Sequence, residues 1–130
     1  MAYYEVHVFV ATSEPMDRFV QSLEQILAIQ ITPNLNREYG NPAFHKYGFR
    51  YADGVWFTIL LNDHFINDRD LLFENYQYYI EIVGTHQGAN ETIVDELAEG
   101  IFSKLMAHGY GLMKTQGLRH KLAQYDPPGT

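Results

Sequence analysis

Thr12 and Ser13, and further on Thr85, His86, Gln87 and Asn90, are the residues whose chemistry is simplest to name. Each group stands at the start of a segment with helical spacing. A helix start presents unpaired N–H groups and the positive end of the dipole, so hydroxyls and amides there suit an anion. His86 adds a group that can protonate a ligand or take a proton from it. The run Gly84-Thr85-His86-Gln87-Gly88 lacks the lysine of a phosphate-binding P-loop and the spacing of a dinucleotide fingerprint. A plain capping loop is the competing reading.

A second group comes from alternation. Glu5 and His7 lie on the polar side of one strand-like run, Lys46 and Arg50 on one side of another, and Gln77, Tyr79 and Glu81 on one side of a third. If these sides face away from the helices, the open face of the sheet carries both signs of charge beside aromatic rings. Such a face suits a ligand or a second copy of the chain, against the plainer reading of solvated cross-strand ion pairs. Its half-aromatic character favours an interface.

The loop from Asn62 to Asp70 holds Asp63, His64, Asp68 and Asp70. It lacks the ligand order of an EF-hand, and Asp and Asn also simply make turns. The six histidines show no metal-ligand spacing in sequence. No metal and no cofactor are assigned. H-E-x-x-H, the G-x-S-x-G elbow and paired H-x-T/S are absent, and with no cysteine there is neither a thiolate nucleophile nor a disulfide.

The elements that must position these residues follow from periodicity. Tyr3 to Val10 alternates cleanly and reads as a strand. Thr12 to Pro15 starts a helix at about residues 14–29, with Met16, Phe19, Val20, Leu23 and Leu27 as its apolar stripe. Residues 31–42, rich in Pro, Asn and Gly, have loop chemistry with room for a short edge strand. Phe44–Tyr51 and Val55–Leu61 flank Asp53-Gly54 and form a hairpin. A strand over 76–83 follows, then a helix from about Asn90 to His108 with Val94, Leu97, Ala98, Ile101, Leu105 and Met106 on its stripe. Gly109 stops it. Residues 110–116 are a candidate last strand. Leu118, Leu122 and Tyr125 are spaced to share one face of a basic helical turn, and residues 127–130 should fray.

The order β-α-β-β-β-α predicts one α+β domain over residues 1–126. Two helices would pack on one face of a mostly antiparallel sheet of four or five strands, a ferredoxin-like plan with an extra strand. With the first helix as a crossover, the hairpin's first strand should run parallel to the first strand. That would gather Thr12, Ser13, Thr85, His86 and Gln87 at one edge of the sheet.

Charge narrows the partners. The chain is −7 overall, but residues 1–102 are −10 while residues 103–125 carry Lys104, Lys114, Arg119 and Lys121 with no acid. The basic tail is expected to dock on an acidic surface, its own body or a neighbouring subunit. Nucleic acid and anionic membranes should be repelled. The densest apolar run, Val55 to Leu61, is seven residues, well short of the roughly twenty a membrane helix needs. The N-terminal Met-Ala-Tyr-Tyr-Glu has no secretory pattern, so the cytoplasm is the expected location. The expected function is a small, acidic, non-enzymatic binding protein, of inhibitor, immunity or adaptor type, homodimeric and suited to a basic protein partner. The alternative is a small-molecule or anion site, open to catalysis, at the edge with His86.

Overall fold

The structure, a computed structural model, describes residues 3–29, 32–34, 46–52, 55–62, 75–85, 88–116 and 120–128. In chain order the elements are β1 (Tyr3–Ala11), α1 (Met16–Leu27), β2 (Thr32–Asn34), β3 (Lys46–Ala52), β4 (Val55–Leu61), β5 (Tyr78–Thr85), α2 (Gly88–Ala107), β6 (Gly111–Gln116) and β7 (His120–Tyr125). All seven strands join one sheet in the order β2-β3-β4-β5-β1-β6-β7, and every pairing is antiparallel.

The alternation of β1 decides the layering. Val6, Val8 and Val10 point to the face that both helices cover, where they meet Phe19 and Leu23 of α1, Val94, Ala98, Ile101 and Leu105 of α2, and Ile59, Ile80 and Ile82 of the neighbouring strands. Each large side chain buried here is worth about 1.5–3 kcal/mol relative to exposure. The Phe19 ring stacks on Tyr78 with centroids 4.7 Å apart, which seats α1 over β5. Met106 falls outside this core: it is an exposed side chain, one residue past Leu105 and so rotated off the stripe.

The helix ends follow local chemistry. α1 begins after Pro15, whose fixed φ suits a first turn, with no side chain capping it. It ends in a left-handed Ala28, φ 54°, whose N–H bonds the Glu24 carbonyl. α2 has Glu91 in its first turn and Lys104 in its last, the favourable sense for the dipole. Gly109, φ 84°, turns the chain back so that the N–H of Tyr110 reaches the Leu105 carbonyl.

Three expectations are corrected. Among the described residues the sheet has seven strands, where four or five were expected. The basic tail is not helical over its described residues: His120 to Tyr125 pairs with β6 as an edge strand, bulged near Lys114 and Thr115, while Leu118 and Arg119 lie outside the described residues. It docks on its own body through the backbone. The direction of β3 is also reversed. The crossover through α1 does lead to a strand running with β1, but that strand is the short β2. One extra reversal makes β3 and β5 run against β1 and β4 run with it. The hairpin pairing itself is as read, with Arg50 opposite Trp56 and Ala52 opposite Val55, while Asp53 and Gly54 lie outside the described residues.

Two glycines should respond oppositely to a methyl group. A Cβ on buried Gly84 of β5 would sit 2.8 Å from Val94 Cγ2, so the close approach of α2 to the sheet depends on its absence. A Cβ on Gly100, mid-helix, meets nothing within 4 Å. Gly84→Ala is expected to cost about 1–3 kcal/mol, and Gly100→Ala to add about 0.5–1 kcal/mol. Denaturant melts of the two variants check this, and shifts of the same sign would overturn the packing argument.

Candidate functional site

The side of β1 turned from the helices carries Glu5, His7 and Phe9. Register sets His7 directly opposite Glu81 of β5 and Thr115 of β6, with Glu5 one step along the same face. The His7 side chain is buried, at 2% exposure for the residue, and its Nε2 lies 3.4 Å from Glu81 Oε2 and 3.7 Å from Glu5 Oε2. The two carboxylates are partly exposed, so the group opens to water on their side. One potential ligand atom from each residue lies within 4.8 Å of the others. Below this trio Phe9, Tyr76, Tyr79 and Met113 form a second buried cluster, with Phe9 and Tyr79 stacked at 5.5 Å. Burial pushes the Tyr76 hydroxyl up to about 12.

At the end of β1, Glu14 is a latch. Its carboxylate accepts hydrogen bonds from Tyr110 at 2.6 Å, Ser22 at 2.9 Å and Thr12 at 3.3 Å, and its carbonyl accepts one from Tyr78 at 2.6 Å. These bonds tie the loop after β1 to α1, β5 and the approach to β6. The Tyr110 bond, more than the others, holds the Glu14 carboxyl below its usual range, and burial pushes Tyr110 up to about 12. Thr12 therefore serves a turn: its hydroxyl accepts from the Glu14 N–H, and its own N–H donates to Gln77 Oε1 at 2.8 Å.

A third feature is a groove of about 730 Å³ between α2 and the β6–β7 edge. Buried Val6 and Ala98 lie at its base and Leu122, 43% exposed, stands at its side. Asp95, Glu96 and Glu99 line it from α2. Tyr4 donates to Asp95 at 2.6 Å, and Lys114 pairs with Glu99 at 2.6 Å.

The anion edge expected from the sequence is not assembled. Thr12 and Ser13 follow the last residue of β1, whereas Thr85 pairs with Tyr3 at its first. The two groups stand at opposite ends of a nine-residue strand. Asn90 lies in the first turn of α2, at the Thr85 end, and His86 and Gln87 lie outside the described residues. The expected open face is also not open at its centre, because His7 and Tyr79 are buried. Gln77 is exposed, and the side chains of Lys46 and Arg50 are outside the described set, as is the loop from Asp63 to Asp70. Glu5, His7 and Glu81 do share that face, and the structure brings them into one cluster. Sequence parity puts the three on one side and leaves their convergence to the register, which nothing in the chain announces.

The Glu14 latch predicts a pH limb. A carboxyl held below its usual 4.5 in the folded state adds stability above that pH, and the contribution is lost as pH falls through the lowered folded value. Tyr110→Phe removes the main cause and should cost about 1–3 kcal/mol at neutral pH. It should also flatten the loss of stability below pH 4.5. Thermal melts from pH 7 to pH 3 on both proteins test this; parallel curves would mean that the latch does not act.

No protein-family model, curated protein or solved structure matches the chain, so the functional reading rests on this geometry alone.

Proposed function

We propose that the chain is a small, acidic, non-enzymatic interaction protein that receives a basic, partly apolar protein segment in the groove between α2 and β7. The carrying observation is the composition of that groove: Asp95, Glu96 and Glu99 along one side, with exposed Leu122 as the apolar contact beside them. Acids at the rim steer and orient a cationic segment, and covering Leu122 adds apolar burial. Lys114 offsets Glu99, so Asp95 and Glu96 carry the uncompensated charge. The net charge of −7 extends the attraction beyond the groove.

We read the β1-α1-β4-β5-α2-β6 set, in spatial order β4-β5-β1-β6, as a ferredoxin-like plan, with β2 and β3 added at one edge and β7 at the other. β7 supplies Leu122, so the addition completes the groove. A cytoplasmic setting suits a cysteine-free chain. The case for a homodimer through an open aromatic face weakens with the burial of His7 and Tyr79.

A synthetic peptide alternating lysine and leucine is the test probe. Its anisotropy with the intact chain should show binding that weakens steeply with added salt. Glu96→Lys combined with Leu122→Glu, both at exposed positions, should lower affinity by about tenfold or more, roughly 1.4 kcal/mol. Equal binding by this variant, or no binding by the parent at low salt, would sink the reading.

A further inference from the structure

We infer that Glu5, His7 and Glu81 form a binding site for a divalent transition-metal ion, Zn²⁺ being the representative case. Two carboxylates on neighbouring strands of one face repel each other, and here both turn toward the same nitrogen. A neutral imidazole cannot offset two negative charges, and an imidazolium paired with the carboxylates offsets only one of them. A divalent cation between the three groups resolves both problems.

The 3.4 Å contact of His7 Nε2 with Glu81 Oε2 is a long hydrogen bond, and both distances also fit ligands of one ion. A charge-assisted N–H···O bond is about 2.7–2.9 Å, whereas His7 Nε2 stands at 3.4 and 3.7 Å from the two oxygens. Ligands bound at about 2.0–2.2 Å in a tetrahedral or wider set lie roughly 3–3.5 Å from one another. The partly exposed glutamates can close the remaining gap by side-chain rotation. An imidazole donor favours zinc, cobalt, nickel or copper over magnesium and calcium, which prefer all-oxygen sets. Three protein ligands with the carboxylates at the solvent side leave a coordination position for water. The strand pairing sets the backbones in advance: His7 faces Glu81 at a fixed register step, and Glu5 is two residues from His7 on the same strand.

Calorimetry with Zn²⁺ on the untagged full chain tests the site, with Co²⁺ absorption as a report on nitrogen and oxygen coordination. One ion per chain is expected, together with a raised melting temperature. Glu5→Gln and Glu81→Gln should each weaken Zn²⁺ binding by about tenfold or more, and the double variant should abolish it, with an unchanged circular dichroism spectrum. His108→Gln and His120→Gln, at exposed histidines away from the trio, should bind as the parent does. Failure to bind Zn²⁺, binding that survives the double variant, or Ca²⁺ binding as tight as Zn²⁺ would each overturn the assignment. The groove variant Glu96→Lys/Leu122→Glu should bind Zn²⁺ normally, which separates this site from the peptide groove.

Discussion

The pairing of β1 with β5 on one side and β6 on the other is the constraint on which the rest of the molecule depends. Residues 6–10 of β1 are all buried, so both of its faces are committed. Val6, Val8 and Val10 hold the helices, while His7 and Phe9 belong to the opposite face. A slip of one residue in either ladder would exchange these sets and place His7 against Leu23 and Ala98. The apolar burial on the helix side therefore fixes the position of the polar trio on the other. The register that brings His7 to Glu81 is held by packing elsewhere and needs no favourable contact of its own.

The two edge strands of the sheet carry features that oppose further strand pairing. β2 has three residues, one of them Pro33, and a proline cannot donate to an added strand. β7 carries exposed Lys121 and a bulge in its pairing with β6. Both devices discourage extension of the sheet by another chain. The α2–β7 groove, by contrast, is where acid and apolar side chains stand together in the open.

Much of the fold could be read from period and punctuation. The alternation from Tyr3 to Val10, the hairpin around Asp53-Gly54 and the stripe from Val94 to Leu105 all specify their elements locally. The reading failed where a decision was not local. Thr32 to Asn34 is too short to show alternation, yet that one strand reverses the direction of β3, and with it the edge to which Thr85 was assigned. Leu118, Leu122 and Tyr125 have helical spacing, but β7 earns its backbone hydrogen bonds from β6, which propensity cannot foresee. The placement of Glu5, His7 and Glu81 on one face was legible from parity. Their distances were not, because they depend on which strands are neighbours.

Strand geometry also keeps the two proposed sites apart. Tyr4 and Val6 turn to the groove beside α2, and Glu5 and His7, their immediate neighbours in sequence, turn to the opposite face. A pleated strand transmits position well and side-chain rearrangement poorly, because a rotamer change on one face leaves the backbone and the other face in place. Occupancy of either site would stiffen β1 without repacking the other. The Glu14 latch reinforces that stiffness at the far end of the strand. There Tyr78 and Tyr110 hold the loop after β1 through a single residue, its carbonyl and its carboxylate together. The same central strand can thus carry a cationic partner's contact on one side and a metal-ligand geometry on the other, each set by a core that neither needs to disturb.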